Sequence, residues 1–246
     1  MNTKVAVLFG LNYPGTEHEL RGCVNDVENM SEFLSSKGYS CDINTSYDST
    51  TANSIMSKLY LLAKQSHTDN LTDVWIHYSG HGTYIMDKNG DECDGKDECF
   101  VPSDCVLIPD DFLKNIIRYF NPSTRIIVVA DCCHSGTIMD LKYNWNLNDK
   151  TSNSTTVDGL KSNVICISGC RDDQTSEDAY LYNRKDSKYE FAGAMTSYLL
   201  EFISLQGCTK VFDIVQKMNV ALSHRGFTQR PRLTSSFIID DTEDLI

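Results

Sequence analysis

Residues 72–82 read TDVWIHYSGHG, and residues 124–136 read TRIIVVADCCHSG. Each is a short apolar run, rich in β-branched and aromatic residues, that stops on polar residues and glycine. That is the pattern of a parallel strand covered on both faces. Residues 4–12, 39–45 and 163–168 repeat it, and residues 232–239 are a sixth candidate. Helical stripes lie between them. Leu20, Val24, Val27, Met30 and Leu34 recur at helical spacing before Lys37-Gly38; Ile55, Leu59 and Leu62 form a second stripe. A third runs through Leu113, Ile116, Ile117 and Phe120, opening on Asp110-Asp111, and a late one joins Val211, Val215, Met218 and Leu222. Strands alternating with helices predict an α/β fold, a three-layer sandwich with a mostly parallel central sheet of about six strands and helices on both faces. Residues 145–159 are polar and read as a mobile loop, and residues 87–98 (DKNGDECDGKDE) as an acidic, turn-rich insertion.

The 246 residues, 41% of them apolar, suffice for one sizeable core, so a single domain is expected. A net charge of −12 disfavours nucleic acid or an anionic membrane as partner and favours a cationic substrate. The opening residues are too short in apolar length for a secretion signal, and no apolar run of membrane-spanning length follows. An intracellular, cytoplasmic protein with ten mostly reduced cysteines is the expectation.

Ligands of an open parallel sheet bind beyond the carboxyl ends of its strands. There the two opening stretches deliver His81 and Cys133. If these strands are neighbours, about 4.8 Å apart, an imidazole and a thiol approach each other across the gap. A base beside a thiol produces a thiolate that attacks carbonyl carbon. Gly80, Gly82 and Gly136 let a substrate backbone come close, and the Gly82 amide is a candidate oxyanion donor. Taken singly, each has a plainer reading, as a structural histidine and a packed cysteine. Alternation excludes the rivals: Cys132 faces away from whatever Cys133 faces, and His134 is a poor base for its neighbour. It also puts Ser79 on the His81 side and Asp131 on the Cys133 side. A carboxylate beside a nucleophilic thiol disfavours the thiolate, so Asp131 needs a reason; a substrate cation supplies one. A strand-end carboxylate capping backbone amides is the plainer alternative.

Read together, LRGCVND (20–26), HYSGHGT (77–83), DGKDE with VPSD after it, DCCHSG (131–136), ISGCRDDQTSEDA (167–179), FAGAM (191–195) and RPRLTSS (230–236) resemble the metacaspases, caspase-like cysteine peptidases. The resemblance is nearly chain-long. It implies a dyad of His81 and Cys133, cleavage after Arg or Lys, and a basic-specific pocket lined by Cys23, Asp26, Ser79 and Asp131. Caspases carry an arginine in that pocket where this chain has Leu20. Many relatives need calcium held by aspartates outside the catalytic centre, and the corresponding positions are Asp97, Asp110, Asp111 and Asp140. A partial calcium-hand spacing at Asp87, Asn89, Asp91 and Glu98 fails at Glu92, where glycine is required. Cys93, Cys99 and Cys105 lack a CxxC pair and make a weak zinc signal. The resemblance further implies a large-subunit-like region (1–141), a polar loop (142–161) and a small-subunit-like region (162–246). Self-cleavage at Lys142, Lys150 or Lys161 and a monomeric state follow from the same source. No proline-rich or zinc-finger prodomain precedes the motifs, as in a bare catalytic core. Competing functions are an inactive caspase-like scaffold, a peptidase with acidic P1 preference, a ligase favouring aminolysis, and a zinc-stabilised binding module.

Overall fold

The computed structural model describes residues 3–86, 95–133, 138–139, 141–154, 160–169, 178–183 and 188–246. Along the chain run β1 (Lys4–Gly10), α1 (Cys23–Ser36), β2 (Ser40–Asn44), α2 (Ala52–Thr68) and β3 (Asp73–Ser79). Next come β4 (Gly82–Met86), β5 (Lys96–Phe100), β6 (Ile108–Pro109), α3 (Asp110–Ile117) and β7 (Arg125–Asp131). Then follow β8 (Tyr143–Asn146), β9 (Thr151–Ser154), β10 (Asn163–Ser168), β11 (Asp178–Asn183) and β12 (Lys188–Gly193). The chain closes with α4 (Ala194–Leu200), a π-helical continuation (Glu201–Leu205), α5 (Val211–His224) and β13 (Arg232–Ser235).

The six strands expected from sequence form one sheet in the order β2-β1-β3-β7-β10-β13, parallel except for β13. The sheet then continues for two strands more. Residues 143–154 are not a loop: β8 pairs antiparallel with β13, and β9 with β8. One side chain accounts for this. Trp145 is buried, donates its indole N–H to Ser235 Oγ at 2.8 Å and meets Phe212 edge-on at 5.2 Å between ring centres. A large aromatic with its polar handle satisfied is enough to pin an otherwise polar hairpin.

Both faces of the sheet are covered. α2 and α3 pack Ile55, Leu59, Leu62, Leu113, Ile116 and Ile117 on one face. α1, α4 and α5 pack Val27, Met30, Leu34, Met195, Leu199, Val215 and Met218 on the other. Alternation along the central strands feeds the two layers: Ile126 and Val128 belong to the first core, Ile127 and Val129 to the second. Each such fully buried aliphatic contributes roughly 1.5–3 kcal/mol of transfer free energy. α2 starts on Thr51, whose hydroxyl accepts the Ser54 N–H, and α1 stops before Gly38, held in the left-handed region that favours glycine. Two small sheets stand apart from the central one, β4-β5-β6 and the hairpin β11-β12. Among the described residues no helix is long and apolar enough to cross a membrane.

Candidate active site

β3 and β7 are neighbours in parallel register, with Ser79 opposite Asp131. Gly80 N–H reaches the Asp131 carbonyl at 3.3 Å, so the two chains are still paired where the strands end. His81 and Cys133, each two residues further on, therefore leave the same edge side by side, and both are half-buried. Cys132 is fully buried in the opposite core, the face that alternation assigns it. His134 and Gly136 lie outside the described residues.

His81 is held at both its backbone and its ring. Its N–H donates to Tyr13 Oη at 2.9 Å, its carbonyl accepts from Tyr78 Oη at 2.9 Å and from Val101 N at 3.1 Å, and Tyr13 Oη donates to the Val101 carbonyl at 2.6 Å. Burial, the largest influence, pushes both phenols above their ordinary pKa and keeps them neutral. The Tyr13 ring lies against the imidazole at 4.7 Å. His81 Nε2 is 2.7 Å from the His18 carbonyl. A carbonyl only accepts, so Nε2 carries the proton and Nδ1 holds the lone pair of the neutral ring.

Gly82 opens β4, opposite Phe100 of β5. The flanking bond from Val101 N–H to the His81 carbonyl makes this a non-hydrogen-bonded pair, so the Gly82 N–H turns away from β5. A side chain at Gly82 would collide with the Cys133 carbonyl oxygen and lie 3.1 Å from Cys132 Sγ. Only glycine brings these two loops so close.

Beneath this edge the structure gathers the polar residues picked out from sequence. Cys23 and Asp26 are one turn apart on α1, and Cys23, Asp26, Ser79 and Asp131 are all buried. Ser79 Oγ donates to Asp26 Oδ2 at 2.6 Å, and the Gly193 N–H points at both Asp26 oxygens, 2.9 and 3.0 Å away. Asp131 Oδ2 accepts from Thr196 N at 2.9 Å and Thr196 Oγ1 at 2.8 Å. Both carboxylates therefore face the start of α4, where Gly193 has no side chain to keep them apart. Sequence reading missed Thr196 and Gly193 as site residues. FAGAM was visible as a motif, but nothing in it says that the Gly193 amide ends on Asp26 of α1, or that the amide of Thr196, just after it, ends on Asp131 of β7.

Of the four acids expected as metal ligands, three lie among the described residues. Asp97 is buried on β5, and Asp110 and Asp111 open α3. Asp110 accepts the Glu98 N–H on Oδ2 at 3.2 Å and the Asp111 N–H on Oδ1 at 2.7 Å. Their charge is concentrated: burial, then Asp110, Asp97 and Glu98, push the Cys99 thiol up to about 12. Asp140 and the partial calcium-hand positions Asp87, Asn89 and Asp91 lie outside the described residues. Among the described residues no three His, Cys, Asp or Glu side chains converge as a metal site.

Of the three lysines, Lys142 lies over the Tyr143 ring, while Lys150 takes a left-handed backbone, pairs with Asp241 at 2.7 Å and lies over Phe212. Lys161 is exposed just before β10.

The family model described as Caspase domain matches residues 3–242. Metacaspase-1 of Meyerozyma guilliermondii is 30% identical over 95% of this chain and 69% of its own length. Metacaspase-7 of Arabidopsis thaliana is 40% identical over 56% of this chain and 36% of its own. A solved structure from Geobacter sulfurreducens superposes with a TM-score of 0.68 at 23% identity, covering 96% of this chain and 95% of that one, a likeness of fold. The chain belongs to the caspase-domain cysteine peptidases, and within them to the metacaspases.

Proposed function

We propose that this peptidase cleaves on the carboxyl side of Arg or Lys, with Cys133 as nucleophile and His81 as base. The observation that carries the basic preference is the pair of buried carboxylates, Asp26 and Asp131, meeting at the bare Gly193 beside the strand end that bears Cys133. Two desolvated acids are costly to hold together unless a cation joins them, and a guanidinium or ammonium is the cation a peptide supplies. Cys23 and Ser79 complete the lining.

The steps follow from the tautomer. Nδ1 of His81 takes the Cys133 proton while Nε2–H stays on the His18 carbonyl, which orients the ring and steadies the imidazolium. The thiolate attacks the scissile carbonyl, and the Gly82 N–H, unclaimed by β5, stabilises the oxyanion. The imidazolium then protonates the leaving amine. Water, activated by the same imidazole, hydrolyses the thioester and returns Cys133 and the carboxylate product.

Calcium activation is proposed through Asp97, Asp110, Asp111 and Asp140. An all-carboxylate donor set suits a hard cation, and the ion would neutralise a crowded negative patch on the β4-β5-β6 sheet. Self-cleavage is proposed at Lys142 or Lys161 in preference to Lys150. A peptidase binds its substrate extended, and Lys150 sits in a tight turn tied to Asp241. A monomer in the cytoplasm is the proposed state, because the edge beyond β13 is filled by the chain's own β8-β9 hairpin, whose outer strand is short and polar.

Fluorogenic peptides ending in Arg, Lys or Asp, each with and without calcium and beside Cys133→Ala, test this reading. Turnover of basic peptides alone, lost in Cys133→Ala and reduced by chelator, is expected. Equal turnover of the Asp peptide would overturn the specificity, and full activity in chelator the calcium requirement.

A further inference from the structure

His77 stands in the middle of the apolar run VWIHYS, on the same face of β3 as Ser79. It is fully buried, opposite Leu8 of β1 and Val129 of β7. A leucine would fit that layer without a polar group to satisfy. Its Nε2 lies 3.4 Å from Thr196 Oγ1, whereas Nδ1 has no hydrogen-bond partner. Thr196 Oγ1 in turn is 2.8 Å from Asp131 Oδ2.

Proton bookkeeping fixes the direction of this chain. A threonine hydroxyl has one hydrogen, and the short contact to a carboxylate claims it. Towards His77 the oxygen offers only a lone pair, so Nε2 must carry hydrogen and the bare nitrogen is Nδ1. That agrees with Nδ1 being the atom without a partner. Burial lowers His77 to about 3, so the ring is neutral. A protonated ring here would compete with a substrate cation for the charge on Asp131. The neutral tautomer orients Thr196 and leaves that charge in place.

We propose that His77 is a positioning residue for the specificity pocket, acting through the Thr196 hydroxyl to anchor Asp131 Oδ2 so that the carboxylate is preset to receive the substrate's guanidinium or ammonium. The inference rests on the reading of Asp131 as the acid that binds the basic side chain. Asp131 Oδ1 lies on the side of Gly169.

The test measures kcat and KM on an Arg peptide for wild type, His77→Phe, His77→Gln, Thr196→Val and the His77→Phe/Thr196→Val double variant. Phenylalanine fills the space without a donor; glutamine restores an N–H donor; valine removes the hydroxyl but keeps the Thr196 N–H bond to Asp131. The expected result is a KM raised about tenfold in His77→Phe with kcat within about twofold, the size of losing support for one charge-assisted contact. Glutamine recovers most of it, and the double variant is no worse than Thr196→Val alone. The rate of Cys133 alkylation by iodoacetamide stays unchanged. KM unaltered in His77→Phe or in Thr196→Val, a parallel fall in kcat and alkylation, or additive effects in the double variant would each overturn the proposal. If His77→Phe does not fold, His77→Leu compared with His77→Gln carries the same prediction for KM. Wild type that hydrolyses only Asp peptides would overturn the specificity reading itself, a failure visible before any variant is made.

Discussion

Gly193→Ala puts one methyl group where the two pocket acids converge. The added carbon would lie 2.7 Å from Asp26 Oδ2 and 2.9 Å from Asp131 Cγ, with Asp131 Oδ2 nearer still. Ordinary contact begins at 3.4 Å, so Asp26 must retreat by about 0.7 Å and Asp131 by more. Neither is free to do so. Asp26 is tied to Ser79 Oγ at 2.6 Å and to the N–H of the mutated residue itself, and Asp131 is tied twice to Thr196. Losing one charge-assisted bond to the substrate cation costs about 1.5–3 kcal/mol, which is about 10- to 100-fold in kcat/KM on an Arg peptide. Overpacking costs about 1–3 kcal/mol of stability in addition. Steady-state hydrolysis gives the first number and urea unfolding the second, while iodoacetamide alkylation of Cys133 reports whether the dyad was disturbed. Activity on Arg within threefold of wild type, at unchanged stability, would refute the argument. So would a loss that alkylation shares, because the damage would then lie at the thiol.

Gly82→Ala drives a methyl onto the Cys133 carbonyl; a misplacement of about 1 Å at a reacting centre predicts about a 100-fold loss of kcat/KM with KM little changed, read by the same assay. Trp145→Ala is expected to cost about 3–5 kcal/mol in urea unfolding and to release the β8-β9 hairpin to proteolysis; a loss below about 1 kcal/mol would show that the hairpin is held by something else. His77 gives a pH signature. Its folded pKa of about 3 lies below the ordinary 6.5, so the unfolded chain binds an extra proton between these values and stability falls as pH drops from 6.5 towards 3. At pH 5 the loss is about 2 kcal/mol relative to neutral pH, and His77→Phe should lack it; identical pH dependence in the two proteins would refute a buried neutral histidine.

Every strand of the parallel core was legible because burial on both faces leaves a mark that needs no partner to be read: VWIHYS and IIVVAD are apolar whatever lies beside them. Alternation sufficed to turn Cys132 inward and to set Ser79 opposite the face of Ile76 and Tyr78. It failed at Trp145, where the signal was a single residue. A polar hairpin bound by one aromatic looks like a loop until Phe212 and Ser235, 67 and 90 residues later, are known to meet it. The β11-β12 hairpin and α4 were hidden for a related reason. The Gly193 and Thr196 amides, and the Thr196 hydroxyl, matter only through the acids they meet from α1 and β7, and those long-range pairings carry no sequence signature.

β7 ends on Asp131 and Cys133 follows it two residues later, hence at most roughly 7 Å along the chain. That spacing sets an electrostatic conflict that the fold answers locally. A carboxylate so near a thiol would raise the thiol's pKa if its charge were left bare. Two donors from Thr196 spread that charge onto Oδ2 in the resting state, yet they bring no positive charge of their own. On the proposed specificity, a basic side chain brings its cation to Asp131 at the moment the scissile carbonyl, one short reach away on the same substrate residue, arrives at Cys133. Substrate binding and thiolate stabilisation are then one event, and a peptide without a cation gains neither. A thiol–pH profile separates this from simple recognition: saturating the pocket with free arginine or a guanidinium probe should speed iodoacetamide alkylation of Cys133 at neutral pH by lowering its pKa. An unchanged or slower alkylation rate with the probe bound would mean that the acid recognises the side chain and does nothing for the nucleophile.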